Sequence, residues 1–428
     1  MLYSLLAGLF GLLLLSLPVG IVLFALGFGI DAFFSPFPLS KGLGRMMWST
    51  VNNSTLVAIP LFVLVGELLV RSGVAARTYS ALDKWVSWLP GGLVHANVAT
   101  ATLFSATSGS SIATAATVAT VAMPQAERLN YDPRLFSGAI AAGGTLGILI
   151  PPSINLIVYG FLTQTSIPAL FLAGLVPGLL LALLFMVAVA VICLIRPELG
   201  GQRRLFPLSQ MLMALVHLVP IFLLFTVIIV SIYGGWATPT EAAAIGVAGA
   251  ILAALIFGKF NLEVLRGCFL GTARTTSMIT LVILGASFLN FALASAGFGS
   301  TLSDLLESWN LSPLAVILLI VLLYIVLGFF IETLSLMVIT IPIVVPIVVG
   351  LGYDPIWFGI LMIVLVEMAL ITPPVGLNLF VVQSARKGGQ LTQVMVGAIP
   401  FVLVMMLMVG LLILLPDLAL FLPDLLGS

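Results

Sequence analysis

Long apolar runs alternate with short polar segments along most of this chain. A helix needs about 20 apolar residues to cross a bilayer, and several runs are near or above that length without interruption. These runs are Asn52–Val70, Ile167–Ile195, Met211–Ile232, Thr240–Phe257, Thr272–Ala296 and Gln393–Leu415. The first run, Leu2–Ile30, fits one tilted helix or two short helices hinged at Pro18. The pattern predicts an all-α polytopic membrane protein.

Two other segments mix apolar and charged residues and are too polar to cross. Gly73–Leu89 and Gly297–Asn310 each combine charged residues with tryptophan near the end of the segment. This composition is typical of an amphipathic helix that lies along the membrane interface. We therefore expect one interfacial helix in each half of the chain.

Four apolar stretches are interrupted near the middle. Gly92–Arg128 contains the polar cluster TSGSS and Ser312–Gly350 contains GFFIETLS, and both have the length of a hairpin that enters the membrane and returns. Arg134–Tyr159 is broken by PPSIN, and Ile356–Val382 is broken by TPPV. Irregular backbone at membrane depth is tolerated only where protein buries it or where it lines a wet cavity. Paired interruptions of this kind point to the binding site of a transporter.

The two halves of the chain repeat one another. An ungapped shift of 222 residues, as from Tyr131 to Tyr353, superimposes both YDP motifs and both proline pairs. Placing Arg196–Gln210 in the cytoplasm leaves only Lys41 and Arg45, of fifteen basic residues, on the outside, as the positive-inside rule favours. The first hairpin then enters from the cytoplasm and the second from outside, so the repeats are inverted. Inverted repeats with interrupted helices are typical of secondary transporters.

Composition and charge narrow the class of protein further. The 428 residues are 61% hydrophobic and 7% charged, with a mean hydropathy of +1.30, whereas soluble domains carry roughly 25% charged residues. Fifteen basic and fifteen acidic residues balance, so the net charge indicates no nucleic-acid partner. Cys193 and Cys268 are far apart in sequence and predict neither a disulfide framework nor a metal site.

The interruptions supply the candidate chemistry. A helix that ends inside the membrane leaves carbonyl oxygens unpaired, and one that begins there leaves N–H groups unpaired. With the helix dipole, the first kind of end attracts cations and the second attracts anions. Carbonyl and hydroxyl oxygens together favour a hard cation, sodium rather than a transition metal. No lysine or arginine lies in either tip or break, so a bound anion would rest on helix ends, hydroxyl groups and the bound cations.

Two sets of site residues are predicted, one for sodium and one for the substrate. The predicted sodium ligands are Ser108, Gly109, Ser110, Gly143, Gly144, Ile148 and Pro151 in the first half, and Gly328, Ile331, Thr333, Ala369, Thr372 and Pro373 in the second. The predicted substrate contacts are Ser110, Ser111, Ser153, Asn155, Glu332, Thr333, Val375 and Asn378. No catalytic residue is predicted.

Two acidic residues at membrane depth have two interpretations each. Glu332 lies at the second hairpin tip, and Glu367 lies just before the TPPV break. Acidic residues inside a membrane are functional candidates by default, yet each could instead only accept hydrogen bonds from loop N–H groups. His95 and His217 lie in apolar runs, where packing in the core accounts for them.

Four motifs carry a resemblance to a known family. They are the TSGSS tip, GGTLGILIPPS at the first break, GWATPTEAAA in mid-chain and TPPVGLN at the second break. Through these motifs the chain resembles, over nearly its whole length, the DctM-like large membrane subunit of the tripartite ATP-independent periplasmic (TRAP) transporters. The resemblance implies sodium-coupled secondary import of a small organic anion, such as a carboxylate, with no enzymatic activity and no cofactor beyond the coupling ions.

The resemblance also implies partners and a mechanism. The partners are a small four-helix membrane subunit and a periplasmic substrate-binding protein, and the location is the bacterial inner membrane. An elevator mechanism assigns residues 92–160 and 312–383 to a moving transport domain, and residues 1–91, 161–311 and 384–428 to a scaffold. We expect the N-terminus on the periplasmic side and the loop Arg196–Gln210 in the cytoplasm.

Two other functions stay open at the level of sequence. A stand-alone sodium–anion symporter with a similar inverted-repeat fold would need no binding protein. An intramembrane enzyme would need a nucleophile–base pair, a metal cluster or a catalytic dyad at membrane depth. Two scattered histidines and two isolated cysteines offer little for such chemistry.

Overall fold

The computed structural model describes all residues except 1–4, 6, 10, 13–14, 16, 37, 203, 259, 299–310, 387 and 427–428, and it describes only the backbone of 106–108. The described residues form helices and no strand. In the first half the helices are α1 Val19–Phe34, α2 Leu43–Val51, α3 Ala58–Arg71, α4 Val74–Val86, α5 Leu93–Ser108, α6 Ser111–Arg128, α7 Pro133–Leu149, α8 Ile154–Thr163 and α9 Ile167–Ile195. In the second they are α10 Leu208–Leu215, α11 Val219–Tyr233, α12 Pro239–Phe257, α13 Leu262–Ser295, α14 Pro313–Gly328, α15 Thr333–Gly350, α16 Pro355–Ala369, α17 Leu377–Ala385, α18 Leu391–Leu414 and α19 Asp417–Leu426.

The lengths of these helices fit a multi-pass membrane protein. Within the described ranges, six helices are long and apolar enough to cross a membrane, or up to eight if each of two bent pairs is one span. The bent pairs are α7 with α8, at 40°, and α10 with α11, at 46°. The all-helical fold class predicted from the apolar runs is confirmed.

Both predicted hairpins and both predicted breaks are present. Helices α5 and α6 form hairpin 1, and α14 and α15 form hairpin 2. Broken helix 1 consists of α7 and α8, and broken helix 2 consists of α16 and α17. The proline pair in each break, Pro151-Pro152 and Pro373-Pro374, is joined by a cis peptide bond. The interrupted stretches of the sequence therefore correspond to real interruptions of the helices.

The 222-residue repeat extends to the positions where helices begin. Helices α6 and α15 begin at Ser111 and Thr333, and α7 and α16 begin at Pro133 and Pro355. The local cause is the same in both halves of the chain. The aspartate before each of these prolines accepts hydrogen bonds from two backbone N–H groups of the first turn, and proline is favoured as the first residue of a helix.

Helices α9 and α18 pack against broken helix 1 at positions where only glycine fits. A methyl group on Gly174 of α9 would lie 2.6 Å from the carbonyl oxygen of Leu149, at the first break. A methyl group on Gly397 of α18 would lie 1.9 Å from the carbonyl oxygen of Arg134, and one on Gly138 would lie 2.1 Å from the backbone of Gly397. Small residues allow helices to approach this closely, so these helices form one packed group.

A second packed group surrounds the long helix α13. A methyl group on Gly20 of α1 would lie 2.7 Å from the Leu281 side chain, and one on Gly27 would lie 2.5 Å from the Phe288 ring. Helix α3 packs on the same helix near its start, where a methyl group on Gly271 would lie 2.7 Å from the Glu67 carboxyl group. Helices α1, α3 and α13 are therefore held together independently of broken helix 1.

The loop between the two halves is fastened to the interfacial helix α4. Arg204 forms an ion pair with Asp83 at 2.6 Å, and its backbone N–H donates to the Ser87 carbonyl oxygen at 3.2 Å. The Tyr131 ring lies against Gly201, and its hydroxyl accepts a hydrogen bond from the Leu93 N–H at 3.1 Å. Burial raises the pKa of the Tyr131 hydroxyl, so this group stays neutral at physiological pH. A helix is present where the first interfacial helix is predicted, and it joins hairpin 1 to this loop.

The structure differs from the sequence-based expectations in three places. Helix α13 begins at Leu262, ten residues before the run Thr272–Ala296 predicts, because Asn261 caps it by accepting the Val264 N–H at 2.8 Å. The run Met211–Ile232, expected to be straight, is bent where α10 meets α11. Helix α19 follows the last predicted crossing.

Two expectations depend on residues near the gaps in the structure. Most of the second interfacial segment, Gly297–Asn310, falls outside the described residues, as does the start of the chain. Helix α1 begins only after Pro18, and the described residues around Leu17 are not helical. This break favours two short helices over one long helix in the first apolar run.

Candidate functional site

The tip of hairpin 1 lies directly against the break of broken helix 1. Gly109 ends α5 with φ at 58°, in the left-handed region that favours glycine. A methyl group on it would lie 3.2 Å from the Pro152 carbonyl oxygen. One on Gly147 would lie 3.0 Å from the peptide group that joins Ser110 and Ser111. Two of the predicted sodium ligands, Gly109 and Ser110, therefore pack on the last turn of α7 and on its proline pair.

Ser111 connects hairpin 1 to broken helix 2. Its hydroxyl oxygen lies 2.8 Å from both carboxyl oxygens of Glu367, in the last turn of α16. Both side chains are buried, each with 1% of its surface exposed. The structure thus brings a predicted substrate contact of the first half together with an acidic residue of the second half.

Asn378 makes a second connection between the halves. Its side-chain N–H donates to the Ala141 carbonyl oxygen of α7 at 3.2 Å, and its backbone N–H donates to the Leu370 carbonyl oxygen at 3.1 Å. A methyl group on Gly144 would lie 3.1 Å from the Asn378 side-chain nitrogen and 3.1 Å from the Ser111 carbonyl oxygen. Gly144, Ser111 and Asn378 therefore form one cluster.

Hairpin 2 meets broken helix 2 at one very close contact. A methyl group on Gly328, the last residue of α14, would lie 2.3 Å from the Cβ of Ala369. Glu332 caps α15, since its two carboxyl oxygens accept the N–H groups of Leu334 and Ser335 at 3.1 Å each. Glu332 is half-buried. Of the two interpretations of this residue, the capping one is therefore observed directly.

Three buried polar atoms near these tips and breaks have no hydrogen-bond partner. They are the side-chain nitrogen of Asn155, the hydroxyl of Thr333 and the side-chain oxygen of Asn378, all among the predicted site residues. A buried polar group without a partner costs about 1–3 kcal/mol, so such groups usually serve a ligand or bind water. The three atoms come from broken helix 1, hairpin 2 and broken helix 2.

The remaining predicted residues are more scattered. Gly143 faces α5 rather than the tip, because a methyl group there would lie 3.0 Å from the Ala101 Cβ. The Thr372 hydroxyl donates to the Met368 carbonyl oxygen at 2.6 Å, and Ser153 caps α8 by accepting the Leu156 N–H at 3.3 Å. Ile148, Pro151, Ile331 and Pro373 lie at the ends of helices or in the breaks, the side chain of Val375 is 37% exposed, and that of Ser108 lies outside the described residues.

The helix ends give the site its electrostatic character. Helices α5, α7, α14 and α16 end at the tips and breaks, while α6, α8, α15 and α17 begin there. The described residues form two ion pairs, and both lie away from the tips. Arg71–Glu67 lies where α3 packs on α13, and Arg204–Asp83 joins the loop between the halves to α4. The site therefore presents carbonyl oxygens, N–H groups, hydroxyls, amides and two carboxyl groups, which are groups that can bind ions.

Sequence reasoning missed the contacts that join the halves. Ser111 and Glu367 were both singled out, but nothing in the sequence paired them. The contact of Gly138 with Gly397 was also missed, and Gly147 was not selected. The clue available in the sequence was the repeat of small residues in both halves, which indicates close packing without identifying the partner.

Comparison with known proteins identifies the family. Residues 6–418 match the family described as Tripartite ATP-independent periplasmic transporter, DctM component. The chain is 35% identical over 395 residues to the C4-dicarboxylate TRAP transporter large permease protein DctM of Pseudomonas aeruginosa, covering 92% of each chain. It is 32% identical over 431 residues to the sialic acid TRAP transporter large permease protein SiaM of Vibrio cholerae, covering 98% of this chain and 97% of the relative.

The fold has a counterpart among solved structures. The YdaH transporter of Alcanivorax borkumensis has a TM-score of 0.57 to this structure at 13% identity, over 92% of this chain and 96% of that chain. At this identity the likeness concerns the fold alone. The family match and the relatives agree with the motifs at both tips and breaks: this chain belongs to the DctM family of TRAP transporter large permeases, which are membrane proteins of substrate import and not enzymes.

Proposed function

We propose that this chain imports a small organic anion together with sodium ions. The observation that carries the proposal is the pair of tip-and-break assemblies, in which helix ends meet and buried polar atoms lack partners. The runner-up is a stand-alone sodium–anion symporter of similar fold, which uses the same ions without a binding protein. The two functions differ in one measurable property, the need for a soluble partner.

The assignment of sodium as the coupling ion is supported by the oxygen atoms at the two hairpin tips. Helices α5 and α7 end around Gly109 and Pro151, and α14 and α16 end around Gly328 and Ala369, so the carbonyl oxygens of their last turns lack partners within the helix. At the end of α16 the Ala369 carbonyl oxygen accepts only a long hydrogen bond from the Thr372 N–H, at 3.4 Å. Such oxygens, with hydroxyls such as that of Ser110, are ligands that hard cations prefer. We assign one coupling ion to each assembly.

The assignment of an organic anion as the substrate is supported by hydrogen-bond donors near the tips and breaks. The Asn155 side-chain nitrogen and the Thr333 hydroxyl are buried donors without a partner. Helix α8 begins beside Asn155 in the first break, so the positive end of its dipole lies there, whereas at the start of α15 the Glu332 carboxyl group accepts two of the N–H groups. The relatives named above act on C4-dicarboxylates and on sialic acid. We propose a substrate with at least one carboxylate group.

An elevator movement is part of the proposal, with a revised division of the chain. The close contacts of Gly174 and Gly397 favour moving α9 and α18 together with broken helix 1, rather than leaving them in the scaffold with residues 161–311 and 384–428. The scaffold would then centre on α1, α3, α12 and α13. A cavity of about 760 Å³ separates the end of α8 from the start of α12, between Phe161 and Thr238, which leaves space for relative movement there.

The partners follow from the family. A tripartite system contains a small membrane subunit and a periplasmic binding protein besides this permease, and we propose both partners for this chain. We also propose the inner membrane as its location, with the N-terminus on the periplasmic side. Labelling a cysteine placed at Ser4 with a membrane-impermeant reagent in whole cells tests the orientation, and protection from the reagent would contradict it.

Uptake into proteoliposomes tests the whole proposal. The permease is reconstituted with its small subunit, and labelled C4-dicarboxylates and sialic acid are offered with and without the binding protein. We expect uptake only when the binding protein and external sodium are both present, and no uptake when potassium replaces sodium. Saturable sodium-driven uptake without the binding protein would favour the stand-alone symporter. Uptake driven by a proton gradient alone would overturn the sodium assignment.

A further inference from the structure

One side-chain pair joins the two predicted ion sites. Ser111 is the first residue of α6 and follows Ser110, a predicted ligand in the first half. Glu367 lies two residues before Ala369, a predicted ligand in the second half. The serine hydroxyl and the carboxyl group are in direct hydrogen-bond contact at 2.8 Å. The pair therefore links the two tip-and-break assemblies directly through side chains.

The environment makes this contact hard to replace. Both side chains are almost fully buried, so water cannot take over a lost hydrogen bond without entering the core. Among the described residues, Glu367 forms no ion pair with a lysine, arginine or histidine. The hydrogen bond to Ser111 is therefore the polar side-chain contact that the described part of the chain gives this carboxyl group.

The Ser111–Glu367 hydrogen bond has no counterpart at the two positions that the repeat relates to it. A shift of 222 residues pairs Ser111 with Thr333 and Glu367 with Thr145. The Thr333 hydroxyl has no partner, and the Thr145 hydroxyl donates to the Ala142 carbonyl oxygen within its own helix at 2.7 Å. The hydrogen bond between the halves is therefore not a by-product of the duplicated fold, since the duplicated positions do not form it.

We infer that the Ser111–Glu367 hydrogen bond couples sodium binding in the first half to sodium binding in the second, an inference that rests on the proposed sodium-coupled function. An ion bound beside Ser110 fixes the first turn of α6 and with it the Ser111 hydroxyl. The hydroxyl then holds Glu367 and with it the last turn of α16, where the Ala369 carbonyl oxygen accepts only a long hydrogen bond from the Thr372 N–H, at 3.4 Å, and can turn to an ion. Coupling of binding free energies is reciprocal, so the second ion favours the first equally. Ser111 and Glu367 are positioning residues here, not ligands of either ion.

The test measures how sodium activates uptake in the complete system with small subunit and binding protein. We expect a higher Hill coefficient for sodium in the wild type than in Ser111→Ala and in Glu367→Leu. These two variants should approach the weakly sigmoidal response of two independent sites that must both be filled. The sodium concentration for half-maximal uptake should rise about 5-fold or more, at the low end of typical coupling factors. The double variant should be no worse than either single variant, because both remove the same hydrogen bond.

Two variants separate the hydrogen bond from other effects. Glu367→Gln keeps a donor and an acceptor that can bond to Ser111, so it should retain the wild-type Hill coefficient. Thr117→Val is the matched control, because the Thr117 hydroxyl only donates to the Ala113 carbonyl oxygen of its own helix. If Ser111→Ala does not fold, Ser111→Cys replaces it, since a thiol of similar size is a weak donor.

The outcomes distinguish this inference from the proposed function. A wild-type Hill coefficient in Ser111→Ala, or a loss in Glu367→Gln as large as that in Glu367→Leu, overturns the coupling while sodium dependence stands. Additive effects in the double variant overturn it as well. Sodium-independent uptake by the wild type would remove the proposed function itself, and the coupling with it.

Discussion

The two hairpin tips are related by the repeat but are held in different ways. Tip 1 is fixed by contacts with other elements, with Gly109 against Pro152, Ser110 against Gly147 and Ser111 bonded to Glu367. Tip 2 is fixed largely by its own cap, because Glu332 accepts two N–H groups of α15. Its closest contact with the rest of the protein is that of Gly328 with Ala369.

The difference shows how a duplicated structure can have unequal halves. The second helices of the two hairpins, α6 and α15, begin and end at positions related by the shift of 222 residues, yet the capping residue is a serine in one and a glutamate in the other. Phe330 in tip 2 is 76% exposed, whereas Gly109 in tip 1 is buried against the first break. Fewer contacts must break to move tip 2 away from its broken helix, so we expect tip 2 to open more easily.

The largest expected effect comes from filling the space beneath tip 1. In Gly147→Ala the new methyl group meets backbone atoms of Ser110 and Ser111 at 3.0 Å, and backbone can yield only by moving the tip. Overpacking of this kind costs about 1–3 kcal/mol, which corresponds to about a 5- to 150-fold loss of uptake. Uptake assays and thermal unfolding measure it. Gly249→Ala is the control, because its methyl group would meet only the Leu224 side chain at 3.7 Å.

An intermediate effect is expected at the cap of tip 2. Glu332→Ala removes a cap, which costs about 1 kcal/mol and should lower uptake about 5-fold. Glu332→Ser gives tip 2 the capping residue of tip 1 and should restore most of the lost uptake if capping is the role of Glu332. Continued loss in Glu332→Ser, with a changed half-saturation constant for sodium or substrate, would instead assign Glu332 to ligand binding.

The smallest effect is expected away from the tips, where α1 and α12 are related by the repeat. Helix α12 begins with a capping box of Thr238 and Glu241, whereas the residue before α1, Pro18, provides no side-chain cap. The hydrogen bonds from Thr238 lower the pKa of Glu241 below its ordinary value of 4.5. A lowered pKa in the folded state means that the stabilisation is present above pH 4.5 and is lost as the pH falls through the lowered value.

Thermal unfolding between pH 6 and pH 3 measures this contribution. Glu241→Gln should remove the part of the pH dependence that arises from this carboxyl group, and it should leave sodium-driven uptake at neutral pH unchanged. Because Glu241 is fully exposed, the expected shift is the smallest of the three. An unchanged pH dependence in Glu241→Gln would show that the capping box contributes no measurable stability, and a loss of uptake would link the turn before α12 to transport.

The sequence by itself determined the fold class, the repeat and the places where helices are interrupted. These features depend on local chemistry, since apolar runs of sufficient length form helices and aspartate followed by proline begins them. The hairpins, the proline breaks and the interfacial helix α4 all lie where the patterns predict. Most of the residues at the candidate site could also be selected, because polar groups at membrane depth are few.

Only the tertiary structure decided which of these residues meet. The partner of Ser111 is Glu367, 256 residues away, and the partner of Asn378 lies in the other half of the chain. The sequence likewise could not assign α9 and α18 to the packed group of broken helix 1. Packing between distant helices depends on the shapes of both surfaces at once. A single glycine such as Gly397 indicates that another element approaches closely, but it does not indicate which element that is. The residue types of the site can therefore be predicted from short sequence segments. The contacts that join these residues across the two halves depend on the packing of the whole chain.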